Sequence, residues 1–438
     1  MKQLKSRDLL LVGFTLFSMF FGAGNLIFPP NIAAQAGTMT WFAMLGMTLS
    51  AVGLPVLGII AVARSGGLDV LGGRVHPLFA KIFTVIAYLA IGPCLAIPRT
   101  ASTSFEMAVP PFVGGDATIA VYQLIYSLVF FVLALIVALR PEKLTDRLGK
   151  IMCPILIALI VITFVGCVIN PLEGYGAAGA GYETPVQAVS TGFLAGYNTM
   201  DTIAALVFGI IISLNIRARG VEEDRAVVRG AVRAGIIAGV LLFVIYSMLA
   251  HIGALSGGAF PNPENGAQAL TNIVAALFGR LGNVLLAAIF VIACFNVCVG
   301  LICSCGEYFN SICPKLSYRA WAVLFAVVSM VLANAGLNQI LAVSGPVLNM
   351  IYPVVIMLIL LAYAQPWLEG RRMVYPMTIL FTGVASILFE VQRLLKLEVL
   401  NGMPLAELNL GWILPAADRK STRLNSSHCL LSRMPSSA

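Results

Sequence analysis

Charge is scarce in this sequence. Only 11% of its 438 residues are Asp, Glu, Lys or Arg, under half the roughly 25% of a soluble domain, and this excludes a chain that folds with its whole surface in water. Paired acidic motifs of the DDxxD kind are missing, so a membrane enzyme that works on diphosphates through magnesium has no ligands. Glu222, Glu223 and Asp224 do stand together, but among arginines, as a solvated face. No Cys-x-x-Cys pair occurs. Most of the nine cysteines (Cys94, Cys153, Cys167, Cys294, Cys298, Cys303 and Cys305) lie inside apolar runs as small hydrophobes, which excludes a disulfide framework or a zinc site. The polar filter or repeated pore element of a channel is also absent. So is a secretory leader: Lys2, Lys5 and Arg7 open an apolar run with no small-residue cleavage site after it, and the first segment is expected to stay in the mature protein.

What the chain has in excess is apolar length, with 59% hydrophobic residues and a mean hydropathy of +0.95. Segments of roughly 20 apolar residues, enough to cross a hydrocarbon core about 30 Å thick, fall near 9–35, 40–63, 79–98, 119–139, 150–169, 187–214, 234–255, 283–306, 320–335, 337–363 and 374–392. This is the pattern of an all-α polytopic membrane protein. Cytoplasmic loops collect Lys and Arg. An N-terminus inside places Lys2, Arg64, Arg74, Arg140, Arg147, Arg217, Arg225, Arg229, Arg371 and most other basic residues there. It leaves Arg99, Arg280, Arg393 and Lys396 at or near the outer surface. The formal charge of +8 is therefore a record of topology, and no nucleic-acid partner is expected.

Two segments are interrupted. The first holds Gly22, Gly24 and Asn25 in its middle, with Pro29 and Pro30 beyond. The sixth holds Gly192, Gly196, Asn198, Thr199, Asp201 and Thr202 together. Glycine weakens a helix, and adjacent amides and hydroxyls can serve the backbone groups that a break releases, although small-residue packing faces have the same look. Corresponding positions five crossings apart imply a second unit inverted relative to the first. That is the arrangement of five-plus-five inverted-repeat transporters whose midplane site is built from two discontinuous helices. A half-helix N-terminus suits a substrate carboxylate, and the opposing carbonyls suit an alkali cation or an ammonium. An apolar amino acid with a sodium-like ion fits both poles. Phe14, Phe17, Phe20, Phe21, Phe193, Leu194 and Phe208 would line the rest, with packing or lipid contact as the other role open to each.

Asp201 is the acidic residue nearest the middle of a span, and a carboxylate at that depth is costly. It serves an ion or a proton, or it caps the second half of the sixth helix, or both. On the eighth segment Asn296, Gly300 and Ser304 share a face at i, i+4 and i+8, either to complete a cation site with the first break or to form a packing seam.

Four stretches carry a resemblance: FGAGNLIFPP (Phe21 to Pro30), IGPCLAIPRTASTSFEM (Ile91 to Met107), GYNTMDTIAALVFG (Gly196 to Gly209) and VGLICSCGEYF (Val299 to Phe309). In this order they resemble the signatures of the bacterial branched-chain amino acid:cation symporters, the LIV-II carriers, from about residue 5 to about 417. The resemblance implies sodium-driven uptake of leucine, isoleucine and valine by alternating access, in a fold similar to the sodium-coupled leucine (LeuT-like) and neurotransmitter transporters. It implies a bacterial cytoplasmic (inner) membrane location, no cofactor beyond the coupling ion, and no obligate protein partner. The coupling ion is left open among sodium, lithium and protons. A carrier for another apolar amino acid or a nucleobase is the alternative.

By motif, the resemblance puts the substrate carboxylate on Ala23 and Gly24 and the cation at Asn25, faced by Thr199, Thr202 and backbone oxygens near Tyr197. With the reading of the residues, the candidate substrate site is Ala23, Gly24, Gly196, Tyr197 and Asn198, and the candidate cation site is Gly22, Asn25, Thr199, Asp201, Thr202, Asn296 and Ser304. At helix eight the chain departs from the family pattern, which has a threonine pair where Asn296 and Val297 stand. Either Asn296 replaces a hydroxyl ligand or cation affinity is altered. Arg99 and Glu106 fall in the second motif, seven residues apart on one helix face, as an extracellular gate or an interfacial pair.

The symporter domain is expected over 1–417, with repeats near 9–169 and 187–363, an extra helix at 374–392 and the start of a truncated twelfth helix at 409–417. From Asp418 the composition changes abruptly, with six serines in 21 residues. The reading there is a tail foreign to the family or a disordered natural one.

Overall fold

Inside hydrocarbon a backbone N–H or C=O has only its own segment to pair with, and every apolar run becomes helix. The computed structural model describes residues 4–113, 118–141, 145–170, 173–261, 263, 265–368, 371–397, 405, 408 and 410–417, and no strand occurs among them. The expected tail at 418–438 lies outside the described residues.

The helices are α1 (Ser6–Phe20), α2 (Ala23–Ala36), α3 (Thr40–Thr48), α4 (Leu54–Ser65), α5 (Leu68–Gly73), α6 (Pro77–Leu89), α7 (Ala96–Ala108), α8 (Ile119–Ala138) and α9 (Cys153–Ile169). They continue as α10 (Pro185–Ala195), α11 (Asp201–Val207), α12 (Gly209–Arg217), α13 (Asp224–Ala259), α14 (Gly266–Ile312), α15 (Tyr318–Ala333), α16 (Leu337–Leu368), α17 (Val374–Leu395) and α18 (Ile413–Ala417). Among the described residues, eight continuous stretches are long and apolar enough to cross a bilayer, including Ala23–Ser65 and Gly266–Ile312. The first and sixth segments consist of shorter pieces, as their glycines predict.

The structure differs from the sequence expectation in three places. The third span does not stop at residue 98: after a wide turn at Ala90–Cys94, with Gly92 out of helical geometry, it resumes as α7 to Ala108. Polar α7 is nonetheless buried, because three of its hydroxyls bond back to their own helix. Thr100 donates to Ile97 O (2.6 Å), Ser102 to Pro98 O (3.0 Å) and Ser104 to Thr100 O (2.8 Å). Helix α13 begins ten residues before its apolar run, at Asp224 rather than 234, because the arginine-rich turns propagate the helix out of the membrane core. Helix α14 takes in residues 266–278, which the eighth segment does not include, and it kinks at Gly279, where φ is +56°.

The described residues form two compact units, those of 1–64 and 85–345, and those of 65–84 and 346–438. In the first, α2 packs along α13, α10 along α3, and α7 along α14. The α3–α10 crossing is close enough that a Cβ on Gly46 would meet Val189 O, and one on Gly192 would meet Ala43 O, the small-residue contact that brings membrane helices together. Helix α8 turns Leu124, Ile125, Leu128, Val129, Val132 and Ile136 outward, an apolar face suited to lipid. In the second unit Tyr375 donates to Leu361 O (2.8 Å) and Ser386 to Met350 O (2.9 Å), tying α17 to α16.

Candidate functional site

The first break is two residues long. Helix α1 ends with Phe21 leaving the helical region, Gly22 is extended (φ −134°, ψ −150°), and α2 starts at Ala23. The N–H groups of the first turn of α2 have no partner one turn back in their own helix. One donor just before it, the N–H of Gly22, is taken by Asn25 Oδ1 at 3.1 Å. The sixth segment breaks differently. Helix α10 tightens into a 3₁₀ turn at Gly196–Thr199, and Met200 then adopts a left-handed conformation (φ +67°) before α11 begins at Asp201. For a residue with a Cβ this conformation costs roughly 1–2 kcal/mol, and the burial of Met200 holds it there.

The two breaks meet through side chains. Asn25 Nδ2 donates to Asp201 Oδ2 at 2.6 Å and also to the Tyr246 hydroxyl, and that hydroxyl donates to the same Oδ2 at 3.0 Å. Asp201 is 2% exposed and stands in the first turn of α11, where the helix end favours a negative charge. From α7 the Arg99 guanidinium reaches into the same place. Its Nη1 donates to Asn198 O at 2.7 Å, and its Nη2 lies 2.8 Å from where a Gly24 Cβ would stand. Phe28 has its ring 5.9 Å from the guanidinium carbon.

Around these groups lies a cavity of about 20 Å³, bordered by Gly22, Ala23, Gly24, Asn25, Arg99, Thr100, Thr199, Met200 and Asp201. Its apolar wall is Met19, Phe20, Ile91, Ala96, Ala204, Phe208, Val297 and Leu301. A volume of this size holds about one water-sized group.

The structure thus brings together Gly22, Ala23, Gly24, Asn25, Thr199 and Asp201. It does not bring the other sequence candidates to the cavity wall. Gly196 packs on Ser50, and Tyr197 is buried against Phe193, with ring centroids 5.5 Å apart. Asn198 takes part through its carbonyl, and Thr202 donates to Ser50 O at 3.1 Å. Asn296 and Ser304 are fully buried in α14, and among the described residues neither Asn296 amide atom nor the Ser304 hydroxyl has a hydrogen-bond partner. Gly300 on that face packs against Met19, while Val297 closes on Gly22.

Of the aromatic residues expected to line the pocket, only Phe20 and Phe208 border the cavity, and they pack on each other at 5.3 Å. Phe17 and Phe21 stack together at 5.2 Å, because one turn of α1 separates them and sets them on a neighbouring face. The sequence reading missed Tyr246, which lies in an unbroken span with no local signal. It also placed Arg99 at the outer surface, whereas Arg99 is 3% exposed and belongs to the cavity. The run of Ser and Thr after Arg99 is the signal that α7 continues inside the protein.

Known proteins resemble this chain in sequence and in fold. It is 41% identical over 417 residues to the branched-chain amino acid permease BraB of Bacillus subtilis, covering 93% of each chain. It is 39% identical over 429 residues to the branched-chain amino acid transport system 2 carrier protein of Pseudomonas aeruginosa, covering 95% of each. With the branched-chain amino acid permease BrnQ of Escherichia coli K12 it shares 39% over 418 residues and 94% of each. In fold it matches Mhp1, a nucleobase-cation-symport-1 family transporter solved in a closed conformation with bromovinylhydantoin bound. The TM-score is 0.59 at 12% identity, covering 96% of this chain and 93% of that one. Inward-facing Mhp1 matches with a TM-score of 0.57 at 13% identity, covering 95% and 91%. The architecture is therefore the five-plus-five, LeuT-like fold with its first and sixth helices broken. The profile of the family described as branched-chain amino acid transport protein matches residues 5–420, and with that match and relatives near 40% identity the chain belongs to this family of transport proteins.

Proposed function

We propose that this multi-pass protein imports leucine, isoleucine and valine by alternating access, driven by sodium. The observation that carries the reading is the meeting of both helix breaks on one buried cavity, with the α2 N-terminus and Arg99 as its positive features and Asp201 as its negative one. Backbone N–H groups at Ala23 and Gly24 suit the substrate carboxylate. The oxygens of Gly22, Asn25, Thr199 and Asp201 suit a hard cation, with no organic cofactor. Asn296, buried with no hydrogen-bond partner among the described residues, would serve a second cation site on α14. A leucine side chain exceeds a cavity of about 20 Å³, so substrate entry requires Met19, Phe20, Phe208 and Val297 to move apart. The basic loops favour a cytoplasmic N-terminus in the bacterial inner membrane.

Labelled-leucine uptake into proteoliposomes, with and without an inward sodium gradient, tests the proposal. Uptake that the gradient stimulates and that isoleucine and valine compete supports it. Uptake that follows a proton gradient instead replaces the coupling ion, and no uptake by folded protein overturns the substrate.

A further inference from the structure

We propose that Arg99 is the specificity-determining residue for the substrate's carboxylate; this rests on the reading of the chain as an amino-acid carrier. A guanidinium is costly at this depth, yet Arg99 is buried and stands between the two breaks, bonded to the Asn198 carbonyl of one and packed on Gly24 of the other. Its planar, permanently charged fork matches the two oxygens of a carboxylate. It borders the cavity beside Ala23 and Gly24, the first residues of α2, where the helix end is positive. Fork and helix end therefore favour the same small anion, and Asp201 on the same cavity supplies the opposite charge for the ammonium of a zwitterion. A ligand with the same side chain and ammonium but no carboxylate gains nothing from Arg99. The residue thus separates amino acids from their amides and amines.

The test is ligand-induced thermal stabilisation of the purified full chain, titrated with leucine and with leucine amide, for the wild type, Arg99→Gln and Arg99→Lys. The expected result is that Arg99→Gln weakens leucine by about 30-fold and leucine amide by less than about threefold, the loss of one charge-assisted contact. Arg99→Lys falls between them and keeps a preference for leucine. Equal weakening of both ligands overturns the proposal and makes Arg99 a strut between the breaks. Unchanged leucine binding in either variant overturns it too. If Arg99→Gln does not fold, Arg99→Lys decides: a larger loss for leucine than for the amide supports the assignment, and equal losses refute it. A wild-type protein that neither binds nor transports leucine overturns the carrier reading beneath the proposal, a result distinct from a failed arginine.

Discussion

Two carboxylates are buried among the described residues, Asp201 at 2% exposure and Glu390 at 4%, and they are held in contrasting ways. Glu390 belongs to the second unit and is neutralised one turn away on its own helix. Arg393 Nη2 meets Oε1 at 2.5 Å, Arg393 Nε spans both oxygens, and Asn349 of α16 donates to Oε2 at 3.2 Å. Asp201 has no basic residue within a turn of it on its own helix. Its donors come from α2 and α13, and the nearby charge, Arg99, comes from α7. A carboxylate paired within one helix keeps its partner whenever the helix moves as a body. A carboxylate held from several helices loses or regains partners when those helices shift, so its hydrogen bonds can report and drive a change between states. The contrast is between a carboxylate paired within one helix and one held by neutral donors from two others, although both look alike by burial.

The comparison is sharpened by substitutions of decreasing effect. Asp201→Asn removes the charge that Asn25 and Tyr246 are arranged around, and initial leucine uptake should fall by about 100-fold, the equivalent of roughly 3 kcal/mol for hydrogen bonds to a buried charge. Uptake within twofold of wild type at equal expression would make the residue only a cap for α11. Gly24→Ala comes next. Its Cβ would stand 2.8 Å from Arg99 Nη2 and 3.1 Å from Asn198 O, and overpacking of roughly 2 kcal/mol should cost about 30-fold in uptake while the protein still elutes as a single folded species. Tyr246→Phe deletes one hydroxyl donor to Asp201, and about 10-fold is expected for a hydrogen bond to a charged group. Because Phe keeps the ring packing on Phe21, centroids 6.5 Å apart, its melting temperature should hardly change. Glu390→Gln is the smallest: it should lower the melting temperature by a few degrees through a partly solvated pair and leave uptake within about twofold.

The sequence made one half of the Asp201 side legible and not the other. Glycines beside Asn25 and Asp201 in otherwise apolar runs announced both breaks, because a polar group at bilayer depth needs a partner and a glycine cannot hold a helix alone. Tyr246 left no such trace. Its hydroxyl is one polar atom in a continuous span, and only the packing of α13 on α2 brings it to Asp201. Arg99 was visible but misplaced, since hydropathy windows end a span where Arg, Ser and Thr begin, whereas those hydroxyls satisfy their own helix and let α7 stay buried. The aromatic lining was misjudged for a different reason: Phe17 and Phe21, one turn apart, stack with each other on one face, while Phe20 turns to the cavity from the next. Asn296, Gly300 and Ser304 do share a buried face, and their distance from the cavity wall was not readable from spacing.

One measurement bears most directly on the contrast between the two acids: initial rates of labelled-leucine entry into proteoliposomes carrying Asp201→Asn or Glu390→Gln at matched protein content, each relative to wild type. The account predicts that the first rate is lost and the second is nearly kept. Equal losses, or a greater loss for Glu390→Gln, would contradict it, because the carboxylate held across the broken helices would then have no role that the locally paired one lacks.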